Sequence, residues 1–121
     1  MSRPIHFEIQ ASAPEKLAEF YGALFGWTFA KWDGPIPYWL IDTGSTGPGI
    51  NGGMLPRQGP VGTVVTVDVA DLAATLEKAQ ALGGQVVVLP MDVPGIGKLA
   101  YIKDPDETIW GVLQPVSASG C

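Results

Sequence analysis

The feature that most limits what this chain can fold into is an order of elements that runs twice. From Ile5 to Gln10 the residues alternate strictly, with Ile5, Phe7 and Ile9 on one side and His6, Glu8 and Gln10 on the other. That period of two is a strand with one apolar and one polar face. A helix is predicted next, with Ser12 as N-cap, Glu15 completing a capping box and Pro14 in the first turn. Leu17, Phe20, Tyr21 and Leu24 form its apolar stripe, and Gly26 its left-handed C-cap. Strands are predicted at 27–32, 38–43 and around 51–55, separated by turn material at 33–37 and a glycine-rich loop at 44–49. Gly52 and Gly53 either weaken the last of these strands or let another group approach its backbone closely.

The order then restarts. Val65, Val67 and Val69 alternate with Val64, Thr66 and Asp68, and Asp71 is placed to cap a helix striped by Leu72, Leu76 and Ala79 and ended by Gly83-Gly84. Strands are predicted at 85–89, 99–103 and 108–114, with a Pro/Gly loop at 91–97 and a turn at Asp104-Pro105-Asp106-Glu107. His6 to Gly26 and Val64 to Gly84 both span 20 positions. The first strands repeat at an offset of 58, and the fourth-strand segments starting at Gly52 and Gly111 align at 59. Repetition in both pattern and length predicts an α+β fold of two tandem βαβββ modules in one domain over 1–121. Module one covers about 4–57, module two about 61–115, and 116–121 is a tail.

Composition narrows the partners. The 121 residues carry a net charge of -5 and no basic cluster, which argues against a nucleic-acid partner. Hydrophobic residues are 46% and charged residues 16%, enough for a globular core without staples. The one cysteine, Cys121, cannot form an internal disulfide. No apolar run approaches the roughly 18 residues of a membrane span. The first residues lack the apolar core of a signal peptide, so a cytoplasmic location is expected.

The segment from His6 to Tyr21 with its Phe20-Tyr21 pair, the Val67-x-Val69-x-Asp71-Leu72 run, Gly83-Gly84 and Asp104-Pro105-Asp106 resemble the vicinal-oxygen-chelate superfamily. That superfamily includes glyoxalase I, extradiol dioxygenases and bleomycin- and fosfomycin-resistance proteins. The resemblance spans His6 to Gln114 and implies that paired modules form a cup-shaped partial β-barrel, usually in a homodimer. It also implies four metal positions, on the first, fourth, fifth and eighth strands. Here they hold His6, a residue near Gly52, Val64 and Gly111, so only His6 suits a divalent metal. No cofactor is therefore expected; a divalent metal would need atypical ligands, with Glu8, on the same face as His6, or Asp68 joining it outside that pattern.

Alternation by itself turns His6, Glu8 and Gln10, and then Val64, Thr66 and Asp68, away from the helices and towards the expected pocket. Ligand contacts are expected from His6, Glu8, Thr66, Asp68, Trp39 and Tyr101, with Met54 as an adaptable wall; Trp27, Trp32, Tyr38 and Trp110 are further aromatic candidates. Gly44 to Gly49 lacks the Lys-Ser/Thr ending of a phosphate loop, and 104–106 is too short for a calcium loop. One histidine and a terminal cysteine leave few nucleophile–base pairs. The expected function is metal-free binding of a small, partly aromatic molecule by a homodimer, for sequestration, resistance or sensing. The alternative is an enzyme of the glyoxalase or dioxygenase type, with atypical metal ligands or with Glu8 and His6 as a metal-free acid–base pair.

Overall fold

A computed structural model describes residues 2–57 and 62–116 of the chain. In order they form β1 (Pro4–Ala11), α1 (Pro14–Phe25), β2 (Thr28–Lys31), β3 (Trp39–Asp42), β4 (Gly52–Pro56), β5 (Thr63–Asp68), α2 (Leu72–Ala81), β6 (Gln85–Val93), β7 (Gly97–Lys103) and β8 (Ile109–Pro115). This is the βαβββ order twice over, an α+β fold. The expectations for Cys121, the tail beyond 116 and the start of module two at 61 lie outside the described residues.

The chain divides into two compact units, one from His6 to Val64 and one from Val65 onward together with the residues up to Ile5. In the first unit the strand order is β2-β3-β4-β1. β1 and β4 run parallel, with Glu8 opposite Gly53 and Ile9 opposite Met54, because the helix and hairpin between them return the chain in the same direction. β3 pairs antiparallel with β4, placing Leu40 opposite Gly53 and Trp39 opposite Met54. The second unit repeats this as β5-β8-β7-β6. β5 and β8 are parallel, with Thr66 opposite Gly111, and β7 places Tyr101 opposite Gly111 in turn. Its sheet also takes in the N-terminal segment: Arg3 N–H donates to Asp68 Oδ1 (2.8 Å), and Asp68 N–H donates to the Arg3 carbonyl (3.2 Å).

The register corrects the fourth-strand alignment. Glu8 and Thr66 are 58 apart, and so are their partners Gly53 and Gly111. An offset of 59 would have put equivalent residues on opposite sheet faces, since a one-residue slip inverts the pleat.

Each unit has its own core. Ile9, Ala11, Ile41 and Met54 form the first, with Phe7, Leu17, Ala18, Tyr21, Trp27, Phe29 and Trp39 packed on it. Leu72, Leu76, Ala100 and Val112 form the second, with Val69, Val86 and Ile102. The α1 stripe is narrower than its periodicity predicted: Phe20 and Leu24 are 55% and 58% exposed, while Leu17, Ala18 and Tyr21 make the contact. Nor is Ser12 the N-cap. That position falls to Ala13 (φ -134°, ψ 80°), which the following Pro14 keeps out of the helical region, and no side chain caps the helix. Gly26 does end it in the left-handed region, at φ 79°. In α2 the Asp71 side chain accepts from Ala74 N–H (3.0 Å), as predicted.

The Pro/Gly stretch predicted as a loop at 91–97 is instead the end of β6, a tight turn and the start of β7. Pairing with β7 slips between Val86 and Val88 and again between Val88 and Met91. Pro90, which has no N–H to donate, sits within the second slip, where a strand tolerates it. Asp104-Pro105-Asp106-Glu107 is a turn, with Asp104 Oδ1 accepting from Asp106 N–H and Thr108 N–H.

Candidate functional site

Parity decides which side chains meet. In the first unit Ile9, Met54 and Trp39 stand in register, and Ile9 and Met54 belong to the core under α1. The opposite sheet face carries His6, Glu8 and Gln10 from β1, Gly53 and Leu55 from β4, and Leu40 from β3. Two expected ligand contacts are therefore misplaced. Met54 is 0% exposed and fills the core, and Trp39 packs on that core with the Lys31 ammonium 5.5 Å from its ring centroid.

The residue that joins His6 and Glu8 is Tyr38, just ahead of β3. Its Oη lies 3.1 Å from His6 Nε2 and donates to Glu8 Oε2 at 3.3 Å. A Cβ on Gly53 would overlap the Tyr38 hydroxyl and ring, so the ring crosses β4 only because glycine is there. Trp32 meets the same ring in a T-shaped arrangement, with centroids 6.1 Å apart. Tyr38 is one of several aromatic candidates in the sequence, and parity is the signal that singles it out: if Ile41 points into the core, alternation sends 38 and 40 the other way.

Burial and charge set the protonation of this row. Glu8 is 7% exposed, and His6 and Tyr38 are half-buried. Burial, then the Glu8 charge, then the hydrogen bond to Glu8 push the Tyr38 phenol far above its ordinary value, so it stays protonated and donates. Burial lowers His6 from its ordinary value and so favours neutral imidazole, an effect partly opposed by the Glu8 charge. Among the described residues every buried side-chain nitrogen and oxygen has a partner.

In the second unit Thr66 is 4% exposed, and Tyr101 and Thr66 share the face opposite α2 through their common partner Gly111. Asp68 is tied to the Arg3 backbone. Trp39 and Tyr101 are thus not equivalent, because Leu40 and not Trp39 holds the register position of Tyr101. Trp27 and Trp110 also lie with the helix-side residues: Trp27 packs on the first core, and Trp110 is in register with Ile102. Trp27 and Phe7 help line an open groove of about 470 Å³ beside the loop from Thr43 to Ile50.

A divalent metal does not fit these residues. Among the described residues no three His, Cys, Asp or Glu side chains come together. The ring nitrogen His6 Nε2 is already engaged by a phenol, and the register positions opposite Glu8 and Thr66 are glycines without a ligating atom.

A family model for a glyoxalase-like domain matches residues 6–112. Over 47 residues, 39% of this chain, the sequence is 47% identical to proteins named "Putative glyoxylase CFP32" from Mycobacterium bovis and Mycobacterium tuberculosis. The match spans only 18% of those longer proteins. The fold is similar to that of methylmalonyl-CoA epimerase from Mycobacterium tuberculosis (TM-score 0.70, 13% identity, 97% of this chain and 90% of that one). It is also similar to a Streptomyces coelicolor methylmalonyl-CoA epimerase variant in complex with 2-nitronate-propionyl-CoA (TM-score 0.68, 14% identity, 95% of each chain).

Proposed function

We propose, on the premise that this chain belongs to the glyoxalase-like domain family of the vicinal-oxygen-chelate superfamily, that it binds a small, partly aromatic organic molecule without a metal. The binding surface is the sheet face of the first unit that carries His6, Tyr38 and Glu8. The observation that carries this reading is the hydrogen-bonded row itself. Three polar groups converge beside Leu40, an apolar side chain that is 47% exposed, and this is the mix of a few placed polar atoms and apolar wall that small ligands use. The role is sequestration of a toxic compound or sensing of a metabolite, by a homodimer.

A thermal-shift screen of small aromatic compounds, with and without chelator, tests it. Hits should survive chelation and disappear in His6→Ala. Stoichiometric zinc, nickel, iron or manganese that His6→Ala loses would overturn the metal-free reading. Sedimentation velocity checks the dimer.

A second reading, an acid–base enzyme, is favoured by one observation. Tyr38 links His6 to Glu8 without a gap, a path along which a proton can be passed. The two similar solved structures named above are methylmalonyl-CoA epimerases, which motivates assaying proton exchange into acyl substrates in deuterated water. Exchange abolished by Glu8→Gln would support this reading.

A further inference from the structure

The direction of the hydrogen bonds along the His6 row says more than that three polar groups meet. Glu8 can only accept from Tyr38, so the single phenolic proton points at Glu8 Oε2. The Tyr38 oxygen is then left to accept, and the atom that faces it at 3.1 Å is His6 Nε2. Nε2 must therefore carry a proton. In a neutral imidazole that leaves Nδ1 as a bare acceptor, and no hydrogen bond to Nδ1 is found among the described residues.

We propose that Tyr38 and Glu8 are positioning residues that lock His6 in the Nε2–H tautomer, so that Nδ1 receives the O–H group of a neutral phenol-like ligand. This rests on the binding surface proposed above and names its ligand class. The reasoning for the class is electrostatic. The Glu8 carboxylate is 7% exposed and already holds the Tyr38 proton, so it presents little bare charge to an ammonium. An anionic ligand has no proton to give a bare Nδ1 and meets a net charge of -5. A neutral O–H donor on a flat apolar body meets neither penalty, and Leu40 and Leu55, with Ala30 in register beside Leu40, offer that body an apolar surround.

The chain has one histidine, so its ring nitrogens can be read from a nitrogen-15 spectrum of the whole protein without assignment. At neutral pH the wild type should show a protonated Nε2 and a pyridine-like Nδ1. Tyr38→Phe, which keeps the ring over Gly53 and removes only the hydroxyl, should show a measurable share of the Nδ1–H form. A dominant Nδ1–H form in the wild type, or identical spectra for the two proteins, overturns the tautomer lock.

Phenol and anisole, which differ by the O–H, then test the class by tryptophan fluorescence titration. Phenol should bind about tenfold tighter, the worth of one well-placed hydrogen bond. That preference should vanish in His6→Ala. Equal binding of the two overturns this inference while leaving the aromatic-binding surface intact, and tighter binding of benzylamine overturns the choice of a neutral donor. If neither phenol nor anisole binds, the ligand class and the aromatic-binding reading fall together, and the spectrum still decides the tautomer.

Discussion

Where β1 carries Glu8 opposite Gly53, β5 carries Thr66 opposite Gly111, and both inner residues are buried, at 7% and 4% exposure. The backbone plan is the same; the chemistry is not. In the first unit a tyrosine folds over the glycine and ties a carboxylate to an imidazole. In the second the matching position holds a hydroxyl, and the nearby Asp68 is spent on the Arg3 backbone. The helices differ in the opposite sense. α2 is capped by Asp71 and buries Leu72 and Leu76, while α1 has no side-chain cap and no fully buried residue. Beneath α1, Trp27 gathers Phe7, Tyr21 and Phe25 within 5.0–5.7 Å between ring centroids. Duplication thus supplied two similar frames. Titratable chemistry gathered on the first, and the more conventional helix anchoring on the second.

Core truncation should break the comparison hardest. Met54→Ala and Leu72→Ala remove fully buried side chains from the first and second cores, and each should cost about 2–5 kcal/mol in urea unfolding. If the units unfold together, either variant shifts a single transition; if they are independent, each splits it. Gly53→Ala comes next, at about 1–3 kcal/mol, because its Cβ must displace the Tyr38 ring. The same variant should lose the bound-ligand thermal shift, which a merely destabilised protein with an intact site would keep.

Capping sharpens the contrast between helices. Asp71→Ala should cost about 1 kcal/mol, and Ser12→Ala no more than about 0.3 kcal/mol, since only the former side chain satisfies a helix N–H. Equal losses would mean that α1 is capped after all. The smallest effect is pH dependence. His6 is lowered in the folded chain, so the unfolded chain binds its proton more readily. Its contribution is fully present above about pH 6.5, the unfolded value, and is lost as pH falls through the lower folded value. The wild type should lose more stability than His6→Gln between neutral and mildly acidic pH. A steeper loss in the variant would reverse that sign.

The parts of this fold that could be read in advance were those fixed by local chemistry. Strict alternation at 5–10 and 64–69 placed two strands and their faces; Gly26 and Asp71 marked helix ends through backbone conformation and a side-chain acceptor. Errors came where a neighbour in space decides. Placing Trp39 and Tyr101 on equivalent third strands favours Trp39 over Tyr38 from sequence, whereas pairing with Met54 turns Trp39 into the core. Met54 is a core residue and not a pocket wall because its register with Ile9 sets its face. Pro14 displaced the expected cap by one residue, and the Pro/Gly run at 91–97 continues a strand because β7 supplies a partner across an irregular ladder.

That irregular ladder carries a consequence of its own. β6 is the last strand in its row and displays Val87, Leu89 and Met91 to solvent, the kind of rim on which stray chains stack into fibrils. Its two slips and the missing amide of Pro90 deny an incoming strand an unbroken row of donors and acceptors. A sticky border is thereby kept from acting as a template. Regularising it, by replacing Pro90 with a β-branched residue, should trade solubility for neater pairing.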